Sequence, residues 1–439
     1  MIFRIINLLR YMDIIKLKKF LIGFMVILFS PIVNAQTGPG GVGNADGTNG
    51  QPRNILWLDA DSLQLSDGAE VAGWSDISGN SHDMTGNGAT TDPTYKTNII
   101  NSKSVVRFEN DNSEYLDFYS NFSSSEDGVV GPTYTFFYVA ARWDNTLNNQ
   151  YVFGGSAGSN NRNLYSGWGY PDGESLCANH WGNNCAADPG NYYTDAVGEF
   201  GFISCVFNSA SGGTTRELFD NGTSVASTTN TNALGSLSTP RLAFRGGSGE
   251  DYGDVDIAEL IFYNTNLNSA QKLLVENYLS EKYNIGFQLA ANDKYSGYDA
   301  AYVHEIAGIG QESDGSHTQT VSGGLYLYEN NSSLSNGDYV MIGHDNATNN
   351  STTIYTGGDL PSGTEAAWAR QWYLEKSLYD GSSSVDIKMI FDFKEALTDG
   401  EYPQEVNNYV LLYRSGTTGA YSNVTLSDQG INAVDHVYF

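Results

Sequence analysis

Gly253-Asp254-Val255-Asp256-Ile257-Ala258-Glu259-Leu260-Ile261-Phe262-Tyr263 runs, across a short polar turn, into Asn268-Ser269-Ala270-Gln271. The stretch from Val255 to Tyr263 reads as a strong strand. Alternation places Asp254 and Asp256 on one of its faces. A bulge would bring Glu259 to that face as well. Asn268 then caps a helix, with Gln271 at the capping-box position three residues on. Leu274, Tyr278 and Leu279 share one helical face, and Gly286 lies just past the end.

Upstream of this strand, short apolar runs alternate with polar turns. Ile55-Leu56-Trp57-Leu58, Val105-Val106-Arg107-Phe108, Tyr115-Leu116-Asp117-Phe118 and Tyr151-Val152-Phe153 are examples, and Asp220-Asn221-Gly222 is a hairpin-type turn. Residues 134–141 are almost continuously apolar, as expected of a strand covered on both faces. Downstream of the helix the strand texture returns, at 302–309, 324–328, 339–342, 368–374, 385–393 and 409–413. A domain boundary is expected near 287–298. With 40% hydrophobic and 13% aromatic residues, the 439-residue chain has enough apolar material for packed cores and is too aromatic for a disordered one.

Four segments in order carry a family resemblance. They are Leu56-Trp57-Leu58-Asp59-Ala60-Asp61, then Trp74-Ser75-Asp76-Ile77-Ser78-Gly79-Asn80 with Asp83 after it, then Val106-Arg107-Phe108, then the 253–263 strand with its helix ending Asn277-Tyr278-Leu279-Ser280-Glu281-Lys282-Tyr283. Together they resemble the laminin-G-like, concanavalin A-like jelly rolls of exported Bacteroidetes surface proteins, over about residues 54–287. Further on, His304-Glu305-Ile306-Ala307-Gly308-Ile309-Gly310, Gly337-Asp338-Tyr339-Val340-Met341-Ile342-Gly343-His344-Asp345, Arg370-Gln371-Trp372 and Ile390-Phe391-Asp392-Phe393 resemble a β-rich module of unknown function that follows such jelly rolls in type IX export cargo. Such cargo usually ends in a sorting domain. None is visible before Phe439, so either truncation or another export route is expected. The implied fold class is all-β: a jelly-roll sandwich with one helix near its C-terminal end at 54–287, then a second β-sandwich domain at 288–439.

The chain carries 22 basic against 50 acidic residues, a formal charge of −28. Such a surface repels phosphate backbones and anionic headgroups, which excludes nucleic acid and direct membrane-surface binding. Lys16, Lys18 and Lys19, an apolar run at 20–29 too short to span a bilayer, and Val33-Asn34-Ala35 predict a signal peptide over 1–35, with Met12 as an alternative start. No later stretch is long and apolar enough for a transmembrane helix. Residues 36–53 are glycine-rich and predict a flexible leader. Export permits disulfides. Cys177 and Cys185 flank one polar loop and are expected to pair, while Cys205 lies in an apolar run and is expected to be a buried free thiol.

Three constellations could carry chemistry. Asp254-x-Asp256-x-x-Glu259 is similar to the Glu-x-Asp-x-x-Glu strand of laminarinase-type glycoside hydrolases, where retaining hydrolysis needs two carboxylates about 5 Å apart. Here the first position is shorter by a methylene, and the laminin-G pattern makes the same acids structural. Asp251, Asp254 and Asp256, with Glu250, are a candidate calcium site, because hard cations take several oxygen ligands. The third constellation is aromatic. Residues 165–193 read as a long polar loop whose Trp168, Tyr170, Trp181 and Tyr192 could stack on sugar faces. The competing expectation is that these rings pack the loop onto the sheet. No nucleophile elbow and no zinc-type His-Glu-x-x-His is present.

The resulting expectation is a non-catalytic, secreted or cell-surface protein that binds an extracellular glycan or surface protein through the first domain. The alternatives are a glycoside hydrolase using Asp256 and Glu259, and an architectural spacer of a larger adhesin.

Overall fold

The computed structural model describes residues 38–88, 90–144, 149–247, 249–297, 301–347, 354–364, 367–379, 384–392, 409–416, 418–424, 429–433 and 436–439. The leader expected at 1–35 lies outside them. The chain is all-β with one α-helix among the described residues, and none is long and apolar enough to cross a membrane.

Two eight-stranded sheets make the first domain. In the first sheet the order is Thr223–Thr228, Arg216–Asp220, Gly201–Asn208, Thr133–Arg142, Val255–Tyr263, Lys103–Phe108 and Thr94–Ile100, with Asn54–Asp59 also paired to Val255–Tyr263. The second runs Ala186–Ala187, Ser175–His180, Leu164–Gly169, Gln150–Gly154, Arg241–Leu242, Leu116–Asp117, Met84–Gly86 and Gly73–Trp74. Their facing sides close one core that includes Trp74, Phe136, Phe153, Trp168 and Phe262.

Every residue of the Val255–Tyr263 strand is buried, because both its faces are covered. Val255, Ile257, Leu260 and Phe262 point into the sandwich. Ala258, Ile261 and Tyr263 point the other way, under the helix. The switch from odd to even inward positions comes from a bulge between Ile257 and Glu259, which adds one residue and resets the alternation.

Helix α1, Ser269–Tyr283, begins with the expected capping box. Asn268 Oδ1 accepts from Gln271 N at 2.9 Å, and Gln271 Oε1 accepts from Asn268 N at 3.2 Å. It ends at Asn284, which takes the left-handed cap conformation at φ 53°. A helix lying on a domain surface would show an apolar stripe and an opposite polar face. Here burial extends around the helix, from Leu274 and Leu279 to Lys272, Glu276 and Asn277. The reason is a second layer. Ile306, Tyr339 and Met341 of the following domain join Phe137, Val139 and Ile261 of the first sheet in a single cluster around α1.

That following domain is also a sandwich. A four-stranded sheet, Gly315–His317, His304–Glu312, Tyr339–His344 and Trp372–Ser377, faces a five-stranded one, Gln319–Ser322, Leu325–Glu329, Ile387–Asp392, His436–Tyr438 and Gly430–Ala433. Ile309, Leu327, Ile342, Trp372 and Phe391 fill the space between.

The glycine-rich segment at 36–53, read as flexible, is ordered from Gly38 on. Gly308 N donates to Gly40 O at 3.2 Å, His317 Nε2 lies 3.0 Å from Gly41 O, and Tyr263 OH donates to Val42 O at 3.0 Å. Val42 is fully buried. The segment threads between α1 and the second domain, where only backbone fits. A Cβ on Gly40 would stand 2.7 Å from Leu274 O, and one on Gly41 would collide with Thr320 Oγ1. Glycine there marks close approach rather than flexibility.

Candidate functional site: an aromatic cleft on the second sheet

The region read as a loop at 165–193 contains three strands joined by turns. Leu164–Gly169 and Ser175–His180 form a hairpin, and Ala186–Ala187 adds a further edge strand. Period-two alternation therefore decides which face each side chain within these strands takes. Leu164, Trp168, Leu176 and Ala178 face the sandwich interior. Tyr165 and Cys177 face outward, with Tyr151 of the neighbouring strand.

The four predicted ligand aromatics part company: alternation turns Trp168 inward, and the other three lie in turns and bends beside the strands. Trp168 is a core residue, buried, with Nε1 donating to Thr194 O at 3.0 Å. Tyr192 is also buried, its hydroxyl donating to Glu174 O at 2.7 Å and Asp195 Oδ1 at 2.9 Å. Neither reaches a ligand. Tyr170, 44% exposed, and the half-buried Trp181 do line one cleft.

The expected Cys177–Cys185 disulfide is absent, and all three cysteines are free and buried. Cys177 pairs across the strands with Ala186, so Cys185, one position earlier, points to the opposite face. Cys177 lies with Tyr151 and Tyr165, whereas Cys185 and Cys205 lie in the main core. Burial raises the pKa of each thiol, which keeps it an unreactive small hydrophobe.

The cleft holds about 500 Å³. Its floor is a cage around Arg245, the second residue of the short strand Phe244–Arg245. The guanidinium carbon lies 4.8 Å from the Trp181 ring centroid, 5.2 Å from Tyr165 and 5.6 Å from Tyr151. Tyr151 and Tyr165 meet edge to face, 5.4 Å apart at 89°. Arg245 Nη1 donates to Asp251 Oδ2 at 2.7 Å. Burial is the largest single influence and works against the charge, but the hydrogen bond to Asp251, with the Tyr151, Tyr165 and Asp251 electrostatics, outweighs it and holds the Arg245 pKa above its usual value. Among the described residues Arg245 donates no other side-chain hydrogen bond, and its Nε is buried without a partner.

The walls are held in place by backbone contacts. Tyr170 N donates to Tyr151 OH at 3.0 Å, and Tyr170 O accepts from Asn179 Nδ2 at 3.2 Å. Asp172, exposed on the rim, accepts three donors on Oδ1: Ser175 N and Ser175 Oγ at 2.8 Å and Glu174 N at 3.1 Å. Burial is the largest single influence and pushes the carboxyl up, but these bonds together outweigh it and hold the carboxyl below the usual range. Asn149 and Asn184 add neutral amides to the lining. Arg245, Asp172 and the two asparagines are site residues that motif reading did not single out. The one local signal is Gly247 at φ 129°, where a Cβ would collide with the Trp181 ring.

The acidic strand lies elsewhere and its carboxylates do not converge. Asp251 is paired with Arg245. Asp254 Oδ1 accepts from Asn110 N at 2.8 Å, and burial raises its pKa. Asp256 takes both Arg107 Nε and Nη2 at 2.7 Å, its directly opposite cross-strand partner. Glu250 accepts from Tyr252 OH at 3.0 Å. Among the described residues no three acidic, histidine or cysteine side chains are grouped to hold a metal ion. Glu259 is fully buried beneath α1. Its Oε1 accepts from Trp57 Nε1 at 2.6 Å and Tyr278 OH at 2.9 Å, and its Oε2 accepts from Lys282 Nζ and Tyr283 OH, both at 2.7 Å.

No family model matches the chain, and no curated protein matches it. Among solved structures it is similar to domain 4 of an extracellular arabinanase from Geobacillus stearothermophilus, in complex with arabinotriose, at 13% identity and a TM-score of 0.30, over 51% of this chain and 98% of that one. It is similar to a Trypanosoma rangeli sialidase at 10% identity and TM-score 0.30, over 57% of this chain and 36% of the sialidase. The binding domain of botulinum neurotoxin DC, in a complex with SialylT, gives 9% identity and TM-score 0.32, over 82% and 77%. Scores of this size do not place the chain in any of those families.

Proposed function

We propose that this chain is a non-catalytic extracellular protein that binds glycan in the cleft between Tyr170 and Trp181. The observation that carries the reading is the pair of accessible rings, Tyr170 and Trp181, that line one cleft with Arg245, Asp172, Asn149 and Asn184. Rings supply apolar faces for the C–H surface of a sugar, and the polar groups supply donors and acceptors for its hydroxyls. Tyr165 and Arg245 of the lining stand on strands, while Tyr170, Asp172 and Trp181 lie in turns at the ends of the Leu164–Gly169 and Ser175–His180 hairpin. The leader expected from the sequence at 1–35 and the resemblance to exported surface proteins support an extracellular location, in secreted or surface-attached form.

The hydrolase alternative asks for Asp256 and Glu259 to face a substrate. Burial of Glu259 under α1, with four donors already in place, favours the binding reading instead. The test is a glycan array probed with the full chain, followed by calorimetric titration of each hit with Trp181→Ala and Tyr170→Ala. Each substitution is expected to weaken binding about tenfold, the equivalent of ~1.4 kcal/mol. A hit that both variants bind as tightly as the parent chain, or an array with no hit, would sink the proposal.

A further inference from the structure

The charges around the cleft narrow the class of ligand, if the glycan-binding reading above holds. Arg245 is the one cation in the described lining, and Asp251 neutralises it where it stands, at 2.7 Å. Its guanidinium is wedged among Tyr151, Tyr165 and Trp181, so it cannot swing away from Asp251 to meet an incoming anion. Among the described residues Asp172 on the rim has no cationic partner. Its Oδ1 is occupied by three donors, and its Oδ2 accepts none among the described residues. The remaining polar lining is amide, from Asn149 and Asn184. Beyond the cleft, the whole chain carries a charge of −28.

From this we infer that the cleft selects uncharged saccharides and rejects those bearing carboxylate or sulfate groups. A sugar hydroxyl has both a donor and two acceptor sites. It satisfies the bare Asp172 oxygen by donating, and the Asn149 and Asn184 amides by donating or accepting, with no charge added. A carboxylate in the same place meets Asp172 and an already neutralised arginine, and it is desolvated without gaining an ion pair. Selection here works by repulsion as much as by attraction.

The experiment uses the full chain on an array of neutral oligosaccharides, with uronate-, sialate- and sulfate-bearing ones beside them. Each neutral hit is then oxidised at its primary hydroxyls to the C6 carboxylate, and both forms are titrated at low and high salt. The oxidised form is expected to bind at least tenfold more weakly at low salt. The gap should narrow at high salt, where the repulsion is screened, and again in Asp172→Asn. An acidic form that binds as tightly as its neutral parent, or a gap that neither salt nor Asp172→Asn alters, overturns the inference and leaves glycan binding standing. Binding of no saccharide at all overturns both.

Discussion

Glu259 and Arg245 each sit in a cage of aromatic side chains, and the two cages have opposite fates. Around Glu259, Trp57, Tyr278 and Tyr283 turn their polar hydrogens inward, and Lys282 closes the circle while also reaching Asp59 at 2.7 Å. Every carboxylate lone pair is answered, and α1 seals the group from solvent. Around Arg245 the rings offer faces and edges instead. One N–H is bonded to Asp251, and the cleft stays open to water. A saturated, sealed ion locks a fold together, whereas a partly unsatisfied ion beside exposed rings is ready for a ligand. The same residue types thus build a joint in one place and a candidate binding site in the other.

The largest effect should come from breaking the joint. Glu259→Leu leaves Lys282 buried without its main partner, and chemical denaturation should show a loss of about 3–5 kcal/mol. An equally stable variant would mean that the network does not hold α1 to the sheet. Next is the contact that ties the two domains. Gly41→Ala adds a methyl at φ 77° against Thr320 and Ala307, and should lower stability by about 1–3 kcal/mol in the same assay. Thr320→Ala in that background should recover part of the loss.

Trp181→Ala should weaken glycan binding about tenfold while shifting the unfolding midpoint little, because the ring lies over the cage rather than in the core. Trp168→Phe sharpens the contrast. It removes the hydrogen bond to Thr194 O and should cost about 1 kcal/mol of stability with glycan affinity unchanged.

The smallest effect is a slope with pH. Burial, then Asp293 and Glu375, push the Glu281 carboxyl at the end of α1 up to about 7. The folded state therefore prefers the protonated form. That stability is complete below the ordinary carboxylate range and is lost as pH rises through about 7. Asp220 acts in the same sense, raised to about 6 by burial. Glu281 is partly exposed, so its share is about 1 kcal/mol after solvent screening. Unfolding curves from pH 5 to 8 should flatten in Glu281→Gln.

Much of the architecture was legible in the residues themselves. The capping box at Asn268 and Gln271 depends on groups three residues apart, and it forms as read. The bulge before Glu259 was also readable, because a strand covered on both faces must still place its polar residues somewhere. The cleft was only half legible. Tyr170 and Trp181 came from a cluster of rings in one segment, but that same cluster contained Trp168 and Tyr192, which are core. Alternation separates Trp168 from Tyr165 only once the segment is known to be a strand, and its glycines and asparagines disguised this.

Sequence alone determined what depends on near neighbours: the strand–helix unit at 253–283, the all-β texture, and the acidic surface. Tertiary structure decided everything that depends on which faces meet. It placed Arg245 beside residues more than sixty positions away, set Cys177 and Cys185 on opposite sides of a sheet, and drew the glycines at 40 and 41 into a packed seam. The physical reason is that periodicity within one strand reports two faces without saying what will cover either. That is settled only when the second sheet, α1 and the second domain close over them.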